Sequence, residues 1–266
     1  MAICTFALME LQFYKYQGTG NDFILVDNRP LLFSKNDTKL VAALCDRKFG
    51  IGADGLILLE EHPTVDFTMV YYNADGNISS MCGNGGRCIT HFANFLGIID
   101  TTATFEAIDG LHETKIEDGL VHLKMQNVTE IQQEKEFTFL DTGSPHHVEV
   151  VEKLSEFDVF TKGRSIRNNR YGKTGANVNF VEELSENNFA VRTYERGVED
   201  ETLSCGTGVT AVALAMHASG RVTSEKVTLQ QPGGTLQISF SKTEEGYKNV
   251  FLIGPATQVF KGIITV

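Results

Sequence analysis

The sequence predicts an α+β protein of two pseudo-symmetric domains, each a mostly antiparallel sheet wrapped around one central helix. Three observations lead to this prediction. The chain has 266 residues, of which 42% are apolar, it contains an internal repeat, and its many short apolar runs outnumber the helical stretches. A chain of this size can bury one large core or two of ordinary domain size. We therefore expect the active site in a cleft between equivalent halves.

The repeat is clearest at two Cys-Gly-x-Gly segments. Cys205 lies 123 residues after Cys82, and each cysteine opens a stretch with apolar residues at helical spacing. The stretches end at Gly97 and Gly220, and glycine suits the left-handed position that follows a helix. Loops and apolar runs before the two cysteines correspond at nearly the same offset. We predict one central helix in each half, over 82–97 and 205–220.

The remaining segments are mostly short alternating or apolar runs, which is typical of strands. The predicted strands include 67–72, 120–125, 190–194, 227–229, 236–240 and 250–253. We place the first domain at 9–126 with a returning C-terminal strand at 255–266, and the second domain at 127–254. A crossover near 125–140 is expected to link them. Residues 1–8 precede the first alternating stretch and are expected to lie outside the fold.

The composition excludes several partners. The formal net charge is -11, whereas nucleic-acid binding needs clustered Lys and Arg that displace counterions from phosphates. No apolar run approaches the roughly 18 residues that a membrane helix needs, and the first residues lack the basic flank of a signal peptide. Five cysteines without a CxxC pair fit a reducing compartment better than a disulfide framework. We expect a cytoplasmic protein with no nucleic-acid or membrane partner.

Two other motifs fail on their context. Residues 50–55 spell GxGxxG, but they follow a helix-like stretch and precede a strand, the reverse of a dinucleotide-binding loop. Gly172-Lys173-Thr174 resembles the end of a P-loop, yet Arg167 stands where the first glycine is required. The seven histidines form no HExxH motif and no Cys/His cluster of the kind that binds zinc. No cofactor and no metal are therefore expected.

The repeated cysteines have a setting that favours catalysis. Unpaired N–H groups and the macrodipole at a helix start favour negative charge, which is expected to lower a thiol pKa. Inverting a stereocentre without a cofactor needs a base on one face of the carbon and an acid on the other. A thiolate and a thiol facing each other meet that need. The alternative is that both are small buried hydrophobes, as free cysteines often are; Cys4, Cys45 and Cys88 are interpreted in that way.

Several short motifs, taken in order and spacing, resemble the diaminopimelate epimerase family over nearly the whole chain from Met9 onward. The motifs are 20–23 (GNDF), 50–54 (GIGAD), 73–76 (NADG), 81–88 (MCGNGGRC), 175–177 (GAN), 194–197 (YERG) and 205–208 (CGTG). The resemblance implies conversion of LL-diaminopimelate to the meso isomer, in the biosynthesis of lysine and peptidoglycan precursors. It implies no cofactor or metal, a small amino-acid substrate, and a homodimer.

The resemblance also implies roles for individual residues. Cys82 and Cys205 would transfer the α-proton. The grip on the reacting carboxylate would come from Gly83, Asn84, Gly206 and Thr207. The distal amino-acid end would be held by Asn21, Asn73, Asn177 and Arg196, with Glu195 beside them. These residue types suit that task, because a guanidinium forks onto a carboxylate and amide oxygens accept from an ammonium. The alternative for each asparagine is that it caps a turn.

The chain departs from the family pattern at two positions. The family typically carries Asn where Ser144 stands, and some members carry Gln where Gly55 stands. Ser144 keeps a hydroxyl that can donate and accept a hydrogen bond, but Gly55 has no side chain to offer. His146 corresponds to a family histidine near the site, where it would orient a thiolate or the substrate amine. The alternative for His146 is a loop-capping histidine.

Other functions remain possible from the residues alone. A proline racemase or hydroxyproline epimerase resembles this chain in its paired cysteines, but typically has His where Asn84 stands and needs no clamp for a second amino-acid head. A phenazine-type isomerase lacks the cysteine pair. Acyl transfer by a cysteine nucleophile with His146 as base, or binding of an amino acid without catalysis, would leave the second thiol without a role.

Overall fold

The computed structural model describes residues 10–266; the predicted extension over 1–8, and Cys4 within it, lie outside them. The first half contains β1 (Glu10–Gly18), β2 (Asn21–Asp27), α1 (Thr38–Cys45), β3 (Gly55–Glu60), β4 (Phe67–Asn73), α2 (Gly83–Phe95), β5 (Thr102–Ala107), β6 (Gly110–Glu117) and β7 (Leu120–Lys124). The second half contains β8 (Ile131–Gln133), β9 (Thr138–Asp141), β10 (Pro145–Val150), α3 (Val159–Asn169), β11 (Asn177–Ser185), β12 (Asn188–Glu195), β13 (Asp200–Thr202), α4 (Gly206–Ala218), β14 (Lys226–Gln231), β15 (Gly234–Thr243) and β16 (Gly246–Gly254). The last strand is β17 (Thr257–Thr265).

The two halves repeat one pattern of strand pairing. β2 runs parallel to β3, as β10 does to β11. The next strand then runs back antiparallel, β4 on β3 and β12 on β11. A second parallel pair follows, β4 with β5 and β12 with β14, and an antiparallel meander completes each half through β7 and β16. The predicted fold class, a sheet-rich two-domain α+β fold, is confirmed.

Two strand pairs join distant parts of the chain. β7 and β16 pair antiparallel, with Leu123 opposite Leu252, so the sheets of the two halves are hydrogen-bonded to each other. β17 pairs antiparallel with β1, so the chain ends against the strand with which the described part begins. The domain limits predicted from the sequence stay a prediction.

Two details differ from the sequence prediction. The expected linker over 125–140 contains β8 and β9, and β9 pairs with β10, so much of it belongs to a sheet. Each half also has a second helix, α1 or α3, because parallel strand neighbours need a crossover connection between them. The polar α3 was not predicted, although Asp158 caps its start by accepting a hydrogen bond from the Thr161 amide at 3.0 Å, a recognisable helix-start signal.

The central helices α2 and α4 lie where the repeat predicted them. Both are followed by a glycine with positive φ, Gly97 at 70° and Gly220 at 72°, which is the left-handed conformation expected after a helix. Residues 208–216 of α4 are buried throughout, as expected for a helix that is apolar on every side. Within residues 10–266, no helix combines the length and apolar character needed to cross a membrane.

Candidate active site

The N-termini of the two central helices meet at the boundary between the halves. Cys82 and Cys205 are the residues immediately before α2 and α4, and both have extended backbone conformations. The next residues, Gly83 and Gly206, face each other: a Cβ on Gly83 would lie 3.8 Å from the Cα of Gly206 and 2.8 Å from Leu252. Only glycine allows this approach without displacing Leu252. The two helix starts, and the cysteines on them, are therefore neighbours.

Both cysteines are free thiols with different polar contacts. Cys82 is half-buried, and its Sγ donates to Asn21 Oδ1 at 3.4 Å. Cys205 is only 7% exposed, and its Sγ lies 3.6 Å from Thr207 Oγ1. Cys45 and Cys88 are buried in apolar surroundings, where burial raises their pKa values to about 11 and about 12.

The thiol pKa values differ from the sequence prediction. Burial raises the pKa of both Cys82 and Cys205, and the nearby Glu195 carboxylate adds to the rise. The helix-start amides do act in the predicted direction, since hydrogen bonds from the Asn84 and Gly85 amides lower the Cys82 pKa and that from Gly208 lowers the Cys205 pKa. The prediction of a lowered pKa was wrong because desolvation disfavours the thiolate more than these amides stabilise it.

The first half places amide side chains beside Cys82. Asn21 Oδ1 accepts from Cys82 and lies 3.4 Å from Asn84 Nδ2, while Asn21 Nδ2 donates to Asp54 at 2.6 Å. Arg47 bridges Asp54 and Asp22 at 2.8 and 2.7 Å, so these carboxylates have a cationic partner. Asn21 and Asn84 thus form a hydrogen-bonded edge to the site. The exposed Asn73 ends β4, opposite Gly55.

The second half contributes a guanidinium beside the helix start. Arg196 Nη2 donates to Ser144 Oγ at 3.2 Å, and its Nη1 donates to the Thr174 carbonyl at 3.0 Å. Among the residues described, we find no carboxylate paired with Arg196, so its charge is available to a ligand. Asn177 donates to the same Ser144 hydroxyl at 3.3 Å and accepts from the Arg196 amide at 2.9 Å. Ser144 therefore positions both side chains.

Glu195 and Thr207 flank this guanidinium and the second thiol. Glu195 precedes Arg196 at the end of β12, and burial raises the pKa of its carboxyl. Thr207 follows Gly206 in the first turn of α4, and its carbonyl accepts from the Thr142 hydroxyl at 2.8 Å. Within residues 10–266, we find no group of three or more His, Cys, Asp or Glu side chains that could hold a metal ion.

His146 lies beneath the site and contacts neither thiol. It is fully buried in β10, with its Nε2 3.4 Å from Asn177 Nδ2 and its Nδ1 3.1 Å from Asn179 Nδ2. Burial, together with the nearby Arg196 charge, lowers the pKa of His146 to about 3. His146 is thus a neutral side chain that supports Asn177 and Asn179.

Two residues near the site were given no role from the sequence. Asn179 lies two residues after Asn177 on the same face of β11, and a Cβ on Gly208 would be 2.6 Å from its Oδ1. Strand alternation would have found it. Arg87 lies inside the quoted MCGNGGRC motif but was given no role. It is fully buried and donates to Asn84 Oδ1 at 3.0 Å and Thr19 Oγ1 at 3.2 Å.

The fold defines the class of protein first. A PhzF-family phenazine biosynthesis protein from Bacillus anthracis superposes with a TM-score of 0.77 at 12% identity, covering 97% of this chain and 100% of that one. A hydroxyproline epimerase from Agrobacterium vitis superposes with a TM-score of 0.64 at 14% identity, covering 97% and 93% of the two chains. At such identities the likeness shows the fold alone. The chain has the two-domain fold of these PhzF-family and hydroxyproline epimerase structures.

The sequence comparisons define the family. The diaminopimelate epimerase family model matches residues 13–129 and 138–259. The diaminopimelate epimerase of Flavobacterium psychrophilum is 54% identical over 256 residues, covering 96% of this chain and 100% of that protein. The diaminopimelate epimerase of Chlorobaculum tepidum is 43% identical and covers 93% and 99%. The chain belongs to the diaminopimelate epimerase family.

Proposed function

We propose that this protein converts LL-diaminopimelate to meso-diaminopimelate without a cofactor, using Cys82 and Cys205 as the two proton-transfer groups. One observation carries the proposal: two free thiols cap helices whose N-termini meet at the Gly83–Gly206 contact. Membership of the diaminopimelate epimerase family supports the choice of substrate. Lysine and peptidoglycan precursor biosynthesis is the role that goes with this reaction.

In the proposed reaction, one cysteine is a thiolate and the other a thiol when the substrate binds. The thiolate removes the α-proton from one face of the carbon, and the thiol gives its own proton to the opposite face. The first cysteine leaves the cycle protonated and the second leaves it as the thiolate, so protons and charge balance. The reverse direction uses the same residues with their roles exchanged.

The two helix starts hold the reacting carboxylate in this proposal. Gly83, Asn84, Gly206 and Thr207 lie in the first turns of α2 and α4. First-turn N–H groups have no partner within the helix, and the macrodipole favours an anion there. They also stabilise the negative charge that develops on the carboxylate as the α-proton leaves. The same amides lower the pKa of the thiols, although burial raises it more. Thiol ionisation and substrate binding therefore both depend on the helix-start amides.

The distal amino-acid end lies, in this proposal, among the side chains that flank the cysteines. Arg196 forks onto the distal carboxylate, since Ser144 and Thr174 occupy only two of its donors. Asn21, Asn73 and Asn177 supply amide oxygens for the ammonium, with Glu195 as the nearby charge. His146 acts through Asn177 as a positioning residue, because it is fully buried.

Three further features complete the proposal: two follow from the sequence pattern and composition, and the dimer follows from the family resemblance. We propose a cytoplasmic location, a homodimer, and the domain limits 9–126 with 255–266 and 127–254. The pairing of β17 with β1 supports assigning the C-terminal strand to the first domain.

The test is α-proton exchange. Purified protein is incubated with LL-diaminopimelate in deuterium oxide, and α-deuterium incorporation and the meso isomer are followed by NMR and chiral chromatography. We expect deuterium in the product and no dependence on added pyridoxal phosphate or metal. L-Proline and trans-4-hydroxy-L-proline are run in parallel, since a hydroxyproline epimerase shares the fold. Exchange with these amino acids but not with diaminopimelate would contradict the proposal.

A further inference from the structure

Tyr71 lies on the face of β4 that points toward the thiol site. Alternate residues of a strand share one face, so Tyr71 shares its face with Asn73 and Met69. Met69 is buried in the core around α2, and Tyr71 packs against the same core. Its ring contacts that of Phe23 edge-on, with the centroids 5.8 Å apart. Phe23 therefore fixes the ring, and the Cys82 thiol is near enough to contribute to the rise of the Tyr71 pKa.

The hydroxyl end of this ring covers Gly55. A Cβ built on Gly55 would lie 2.6 Å from Tyr71 Cε2 and 3.3 Å from Cζ, and 2.4 Å from the Tyr72 carbonyl oxygen. These distances leave no room for a side chain at position 55. Gly55 follows Asp54, which accepts from Asn21 at 2.6 Å, and Asn21 accepts in turn from Cys82. The phenol thus occupies the space beside the Asn21–Cys82 pair that a side chain at position 55 would otherwise fill.

The Tyr71 hydroxyl belongs to a partly buried side chain and is not among the enclosed polar atoms without a partner. Among residues 10–266 we find no hydrogen bond from it, whereas the hydroxyl of the next residue, Tyr72, donates to the Lys35 carbonyl at 2.9 Å on the other face of the sheet. The Tyr71 hydroxyl is therefore able both to donate a hydrogen bond to a ligand and to accept one from it.

The charges around Tyr71 keep the phenol neutral. Burial raises the pKa of Tyr71, and the neighbouring Cys82, Asp54 and Glu195 groups raise it further. A neutral phenol can donate to a carboxylate and accept from an ammonium. These are the two groups of an amino-acid head.

We propose that Tyr71, whose ring covers Gly55, is a substrate-binding residue whose hydroxyl hydrogen-bonds to an amino-acid head group of diaminopimelate beside Cys82. The proposal rests on the proposed function. Gly55 on β3 has no side chain with which to contact the substrate. In this proposal, Tyr71 on the adjacent strand β4 makes that contact instead. The hydrogen bond is present both in the bound substrate and in the transition state. Its loss should therefore raise KM and leave kcat unchanged.

The experiment compares Tyr71→Phe with Tyr72→Phe in steady-state epimerisation of LL-diaminopimelate. Both substitutions remove one hydroxyl and keep the ring, and the two residues are adjacent but face opposite sides of the sheet. A hydrogen bond to a charged group lost from Tyr71→Phe should raise KM about tenfold or more, with kcat within about twofold of wild type. Tyr72→Phe should leave both constants close to wild type, and thermal unfolding of each variant checks that it folds.

The outcomes separate the two proposals. Unchanged KM in a folded Tyr71→Phe, or a loss of kcat alone, would overturn the role of Tyr71 while leaving the epimerase function intact. An equal rise in KM in Tyr72→Phe would also overturn it, because the effect would then come from the strand and not from the hydroxyl. If the wild-type protein exchanges no α-proton of LL-diaminopimelate, the proposed function fails first, and the Tyr71 proposal fails with it.

Discussion

The two cysteines occupy equivalent positions in the repeat but differ in their surroundings. Cys82 is half-buried and bonded to Asn21, whereas Cys205 is nearly covered and lies beside Thr207. Burial raises the pKa of both thiols. A two-base reaction needs one of them ionised, so activity should rise as pH increases toward the range in which thiols ionise.

Removing either cysteine should strongly reduce net epimerisation. Cys82→Ala and Cys205→Ala each remove one of the two proton-transfer groups, and we expect kcat/KM to fall by a factor on the order of 10²–10⁴. Cys45→Ala is the matched control, since Cys45 is buried in α1 in a different core cluster from the one against which Cys82 packs. The measurement is chiral analysis of the product. Full activity in either of the first two variants would refute the two-base mechanism.

His146 should make the fold sensitive to acid. Its pKa is lowered from 6.5 to about 3 in the folded protein, so the unfolded chain binds this proton at a higher pH than the folded chain. The stability linked to His146 is fully present above about pH 6.5 and is lost as pH falls toward 3.

His146→Gln should therefore weaken the pH dependence of unfolding between pH 6.5 and 4, because glutamine can bond to both asparagines without titrating. Urea unfolding at several pH values measures this. His62→Gln, at a histidine that contacts Glu106 away from the site, is the control. The same slope in wild type and His146→Gln would contradict the prediction.

At the scale of the elements, the contact of α2 with α4 sets the distance between the two cysteines that precede these helices. A Cβ on Gly206 would lie 2.8 Å from Leu252 Cδ2 and 3.6 Å from the Cα of Gly83. The family resemblance implies that these glycines help to hold the reacting carboxylate. The structure adds a packing reason, because Leu252 of β16 lies against both helix starts.

Gly206→Ala should push the helix starts apart and reduce kcat/KM by about 10-fold to 100-fold, because small displacements of reacting groups are costly. Leu252→Ala removes the side chain that the new methyl group meets first. The double variant Gly206→Ala/Leu252→Ala should therefore recover part of the lost activity. A double variant no better than Gly206→Ala would show that the Leu252 contact is not the cause.

At the scale of the whole molecule, buried polar contacts hold the halves together behind the cysteines. Thr19 in the first half lies 2.7 Å from the Ser204 hydroxyl in the second, and Ser204 donates to Gln231 at 2.9 Å. Arg87 donates to Thr19 and to the Pro255 carbonyl. This network is buried, so each missing partner leaves a desolvated polar group.

Ser204→Ala should lower the free energy of unfolding by about 1–3 kcal/mol, because it leaves Thr19 and Gln231 each with a lost buried hydrogen bond. Ser165→Ala, on the exposed face of α3, is the control and should change stability little. Denaturant unfolding monitored by circular dichroism measures both. Equal stability of Ser204→Ala and wild type would exclude a stabilising role for this network.

The sequence by itself determined the repeat, the central helices with their capping cysteines, the strand-rich fold class and the family. These features are local or recur at a fixed offset, as Cys82 and Cys205 do, so composition and spacing reveal them. Helix α3 was missed because its polar sequence lacks a clear apolar pattern.

The tertiary structure alone decided the direction of the thiol pKa shifts, the burial of His146, the partners of Arg87, and the place of Tyr71 over Gly55. Each depends on distances between segments far apart in the chain: desolvation requires knowing what covers a group, and steric fit requires knowing what stands opposite it. The helix-start signal at Cys82 was correctly identified in the sequence, but the burial that outweighs it comes from both halves of the fold.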